Sequence, residues 1–134
     1  MALGRCAWTP AWALLALVLL APPPGAVGSP PGGVSAAPVH WVSAVGRAAW
    51  RDCRSEVPLD GAEACALETA SANAEAGDVV MLRGGAYVGQ EIRPAHSGAS
   101  ESERIVFSRH GEESVTIRDS SYGIYLYKRS FITV

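Results

Sequence analysis

Two cysteines twelve positions apart, a few arginines at strand ends, two loop histidines and three closely spaced tyrosines are the residues here whose types could do chemistry. Cys53 and Cys65 suit a disulfide, and closing a loop of that size stabilises by roughly 3 kcal/mol in the chain-entropy view. A metal held by two thiolates is the rival reading, but the short C-x-x-C spacing and a nearby His are both missing. A nucleophilic thiol fits less well, because Cys65 falls in a predicted helix beside Ala66 and Leu67. Arg83 lies between a strand signal and Gly84-Gly85, where a guanidinium could grip a carboxylate through two parallel hydrogen bonds. The plainer reading is a solvated or paired charge at a strand end, and Arg93 and Arg104 carry the same two readings. His96 and His110 titrate near neutrality and could act as bases, yet both sit in polar bends that suit surface histidines. Glu101, Glu103, Glu112, Glu113 and Asp119 lack the D-x-D-x-D-G spacing of a calcium loop and read as a solvated face. In Tyr122, Tyr125 and Tyr127, alternation turns Tyr125 and Tyr127 outward and buries Ile124 and Leu126. Exposed rings of that kind can stack on sugar rings, or form a structural ladder. No catalytic residue and no metal ligand is assigned. Arg83 and Tyr125 are the substrate-binding candidates.

The elements that must hold these side chains are short. His40-Trp41-Val42-Ser43 reads as a first strand, and residues 44–59 as a loop tied down by the disulfide. Residues 60–77 read as a helix, with Asp60 and Glu63 as a capping box and Gly77 just past its end. Ala66, Leu67, Ala70 and Ala74 share its buried face, and Glu68, Ser71 and Glu75 its polar one. Val79-Val80-Met81-Leu82 is a β-branched apolar run of strand length. From Arg104 onward, apolar residues flank polar ones in Val115-Thr116-Ile117, Ile124-Tyr125-Leu126 and Ile132-Thr133-Val134, with Ile105-Val106-Phe107 a looser case. Polar bends rather than Asn-Gly hairpins separate them, which argues against an antiparallel sandwich. Met81 and Ile105 lie 24 residues apart and Ile92 and Val115 lie 23, within the repeat range of solenoids. Such units bury their apolar side only by stacking. The expected fold is therefore all-β: a right-handed parallel β-helix with a cap helix and about two coils, continuing beyond Val134.

The start of the chain suggests export. Ala11–Ala21 is an apolar run behind the positive Arg5, broken by Pro22-Pro23-Pro24 and followed by small residues at Ala26-Val27-Gly28. That is the pattern of a signal peptide over residues 1–28, and the run is too short for a membrane span. Residues 29–39 read as a flexible lead-in, and 40–134 as one incomplete domain. The chain has 11 basic and 13 acidic residues, net −2, and losing Arg5 with the signal brings this to −3. With no basic run to neutralise phosphates, nucleic acid is excluded as a partner. After signal cleavage no membrane partner is expected, and a paired Cys53 and Cys65 suits a secreted protein.

The run Cys65–Ala70, then Ala74-Glu75-Ala76-Gly77-Asp78-Val79-Val80-Met81-Leu82-Arg83-Gly84-Gly85-Ala86-Tyr87, resembles the start of secreted parallel β-helix proteins of the pectin-lyase superfamily. Ile92-Arg93-Pro94, Ser97-Gly98 and Ser130–Val134 share the likeness, which covers residues 65–134. The resemblance implies a secreted protein acting on an acidic polysaccharide, its leading form a lyase that cleaves a uronate polymer by β-elimination. It implies catalytic residues, and Ca²⁺ where used, in later coils, with no cofactor in the residues present. The alternative is a non-catalytic surface or matrix protein that binds glycans or acts as a scaffold.

Overall fold

A computed structural model describes residues 39–134; the signal-peptide reading of 1–28 and the lead-in up to residue 38 lie outside the described residues. The described chain runs β1 (Val39–Val42), a 3-10 turn (Gly61–Glu63), α1 (Leu67–Asn73), β2 (Val79–Leu82), β3 (Gly85–Val88), β4 (Ile105–Arg109), β5 (Val115–Arg118) and β6 (Ile132–Thr133). Every ladder between these strands is parallel. One sheet has the order β1-β2-β4-β6, and a second pairs β3 with β5. The β-branched and aromatic residues drive this. Val80 and Leu82 of β2 and Ile105 and Phe107 of β4 are buried, alternating with half-exposed neighbours as a pleat requires.

The core lies between the two sheets and α1. Val42, Leu67, Ala70, Ala74, Tyr87 and Ile105 are all fully buried in it. Tyr87 brings a polar atom into this interior, and its hydroxyl donates to the carbonyl of Arg83 at 2.7 Å or of Val42 at 3.1 Å. Burial pushes its ionisation well above the usual phenol range.

The expected all-β, right-handed parallel β-helix is corrected. The described residues form two small parallel sheets of four and two strands, with one short helix and a 3-10 turn, rather than coils of three strands each. On the third side only the isolated bridge between Ile92 and Ile124 forms. The reason is local. Pro94 has no N–H to give a ladder, and its neighbours pair with the helix instead. Arg93 N–H donates to Ser71 Oγ at 3.2 Å, and Ala95 N–H to the Ser71 carbonyl at 2.8 Å. The spacing is corrected too. Met81 pairs with Ser108 and Ile105 with Ile132, each 27 residues on, while Ile92 pairs with Ile124, 32 residues on.

The predicted helix over 60–77 splits in two. Asp60 caps only the 3-10 turn, accepting from Gly61 N–H. Cys65 then leaves helical geometry to bridge Val42 in parallel, donating to the Trp41 carbonyl at 2.9 Å, so α1 begins at Leu67. Ser71, assigned to the polar face, is buried because it serves residues 91–95. Gly77 does take a left-handed φ of +88°, but in the turn from Glu75 to Asp78 rather than at the helix end.

Cys53 and Cys65 form the disulfide. It pins the segment after β1 against that strand: Trp41 N–H donates to the Cys53 carbonyl at 2.9 Å, and Ser55 N–H to the Val39 carbonyl at 3.1 Å. The outer edge of β1 is thereby covered. At the opposite edge, β6 and the layer beneath it leave Ile124, Leu126, Phe131 and Val134 exposed. Ile124 and Leu126 were expected to be buried; among the described residues no further strand packs over them.

Candidate functional site

Arg83 is spoken for inside the protein. Its side chain is mostly buried; Nε donates to both Glu113 carboxylate oxygens, at 3.1 and 3.0 Å, and one terminal nitrogen donates to the Leu59 carbonyl at 3.0 Å. Asp60 lies 3.5 Å from the other. Glu113 also accepts from Gly84 N–H and contacts His110 Nδ1 at 3.1 Å. Three donors on one carboxylate hold its titration at about 2, the Arg83 hydrogen bonds contributing most. The same bonds raise the Arg83 pKa further. The cluster ties the β2–β3 turn to the β4–β5 turn. Glu113, expected in a solvated face, is its hub, and His110, expected as a free loop residue, also packs edge-on against Trp41. Nothing local in the sequence links Arg83 to a glutamate thirty residues away.

Tyr125 stands in a different setting. Its ring lies 4.9 Å from that of Tyr122 and 6.2 Å from that of Tyr127, both tilted. The Arg93 guanidinium sits 4.9 Å above the Tyr125 ring, and the Lys128 ammonium 5.1 Å from the Tyr127 ring. Such cation–aromatic contacts stabilise by about 0.5–1 kcal/mol at exposed sites. Tyr125, Tyr127, Arg93, Lys128, Pro94 and Arg129 line a cleft of about 270 Å³; Tyr122 lies outside it. Tyr127 is 63% exposed, whereas Tyr125, expected to face outward, is half-buried.

The turn that presents the cations is held from several sides. Lys128 adopts a φ of +55°, a left-handed conformation that an L side chain rarely takes and that persists only where neighbours impose it. Here Arg129 N–H donates to the Leu126 carbonyl at 3.1 Å, and Arg129 Nε to the Pro94 carbonyl at 2.8 Å. Ser130 N–H donates to Ser97 Oγ at 3.2 Å, and Gly98 N–H to the Ser130 carbonyl at 3.0 Å. Gly98 has to be glycine: a Cβ there would lie 2.5 Å from the Phe131 carbonyl oxygen. Lys128 and Arg129 fall in one of the polar bends that separate the strand signals. The signal for them was two adjacent cations directly after an alternating Tyr-Leu-Tyr.

The remaining candidates do not gather. His96 is exposed in its loop, and Arg104 pairs locally with Glu101. His40 is buried, its ring stacked on Trp50 at 3.6 Å with Asp78 at 3.9 Å. Burial lowers its pKa, against the pull of Asp78. Among the described residues no three His, Cys, Asp or Glu side chains are placed to hold a metal ion. Nor is any described helix long and apolar enough to cross a membrane. No family model, no curated protein and no solved structure matches the chain.

Proposed function

We propose that this protein is exported and binds an acidic polysaccharide on the Tyr125 cleft. The observation that carries the reading is the gathering of two tyrosine rings, Tyr125 and Tyr127, with three cations, Arg93, Lys128 and Arg129, around one cleft. A pyranose ring has an apolar face of C–H groups that loses water against an aromatic ring. A carboxylate or sulfate on the same ring is then met by a guanidinium or ammonium at the cleft wall. Neutral sugars gain only the first contact, and small anions only the second. The disulfide suits an oxidising compartment, and the likeness of residues 65–134 to secreted polysaccharide-active proteins points the same way.

Binding, rather than cleavage, is what these residues support. Elimination needs a base and charge-stabilising groups converging on one sugar, whereas Arg83, Glu113 and His110 are tied to one another. The lyase reading therefore places its chemistry outside the described residues, with the Tyr125 cleft as a holding site for the polymer. Calorimetric titration with oligogalacturonate and with a neutral cello-oligosaccharide of equal length tests the proposal. The acidic oligomer is expected to bind and the neutral one to bind at least about tenfold more weakly, a gap of about 1.4 kcal/mol. Tyr125→Ala should abolish the measurable heat without lowering the melting temperature by more than a few degrees. Equal affinity for the two oligomers, or full binding by Tyr125→Ala, would overturn it.

A further inference from the structure

The Tyr125 cleft does not end at its aromatic wall. Arg93, Pro94 and Arg129 line it and also line a larger cleft of about 670 Å³ beside α1, so one groove runs from the tyrosines to the helix. The charge changes sign along that groove. The aromatic cleft carries Lys128 with the two arginines and no carboxylate among its lining residues. Past the arginines, the second cleft adds Glu68, Glu91 and Asp119. Arg93 lies 3.5 Å from Glu91 and so partly answers one of these carboxylates; Glu68 has no cation within ion-pair distance among the described residues, and Asp119 reaches only the neighbouring Arg118, at 3.9 Å.

From this, and resting on the glycan reading above, we infer that the groove takes a polysaccharide in which acidic sugars alternate with uncharged or amino sugars. An anionic unit at the cationic end leaves its neighbour against Glu68, Glu91 and Asp119. A second carboxylate there meets like charge, which is how a site rejects one polymer while accepting another. An amide-bearing or hydroxyl-rich unit meets no such repulsion, and Ser121 offers it an exposed hydroxyl. A homopolymer of uronate places a carboxylate at both ends of the groove.

The test compares hyaluronan oligomers, which alternate glucuronate with N-acetylglucosamine, against oligogalacturonate of equal length, by calorimetry at one fixed salt concentration. The full chain is expected to prefer the hyaluronan oligomer at least about fivefold. Glu68→Gln combined with Asp119→Asn should erase that preference by improving the oligogalacturonate. If oligogalacturonate binds as well as or better than hyaluronan while Tyr125→Ala still abolishes both, the alternation is wrong and the glycan reading survives. If neither acidic oligomer binds, both fall.

Discussion

At the scale of single residues, the main result is a division of labour between two kinds of arginine. Arg83 is consumed by Glu113, Leu59 and Asp60, while Arg93, only loosely paired with Glu91 at 3.5 Å, sits above a tyrosine ring. The Glu113 carboxyl, held at about 2 against an ordinary 4.5, makes the first kind measurable. A carboxyl depressed by folding binds fewer protons in the native state, so its contribution is complete above about pH 4.5 and is lost as the pH falls through about 2. Glu113→Gln should therefore lower the melting temperature near pH 7 by at least about 3 °C, and the gap to the unmodified protein should close between pH 4.5 and 2. A gap that stays constant down to pH 2 would show that the carboxylate charge is not what joins the two turns. None of this was legible in the chain, because the partners lie on successive layers and meet only through the parallel register of β2 with β4. Alternation drew attention to Tyr125 but assigned the wrong faces: Ile124 and Leu126, expected to be buried, are exposed, and Tyr125, expected to face outward, is half-buried.

At the scale of elements, the sequence was readable where one residue type decides the outcome. The strands β1, β2, β4 and β5 fall within a residue or two of the strand signals that announce them. The bends between them carry the turn residues that excluded hairpins. What could not be read was competition for backbone partners. Ser71 takes the N–H groups that a third strand would need, and Cys65 is drawn into a bridge that interrupts a helix its alanines would otherwise extend. Both are tertiary overrides of sound local propensity. The disulfide belongs to this scale, since it holds the segment covering the edge of β1. Replacing both cysteines by serine should cost roughly 3 kcal/mol, read as a lower midpoint in urea with the slope little changed. A midpoint shift of under a third of that would mean that the backbone bonds of Trp41, Ser43 and Ser55 hold the segment unaided.

At the scale of the whole described domain, the layered parallel strands do two things for the proposed site. They place Arg93 and Pro94 of one layer against Tyr125 and Arg129 of the next, so a surface cleft forms from segments that no local turn could bring together. They also keep the Arg83 cluster apart from that cleft, so a binding surface can vary without unpicking the fold. The expected three-stranded coils are not needed for this; one bridge between Ile92 and Ile124 and the Arg129 bond to Pro94 suffice. The most direct measurement is an amide NMR titration of the isotopically labelled protein with an acidic oligosaccharide. Saturable shifts should concentrate at residues 93–94 and 122–130 and leave the amides of Arg83, Gly84 and Glu113 in place. Shifts centred on Arg83, or none that saturate, would contradict the assignment of the Tyr125 cleft as the glycan site.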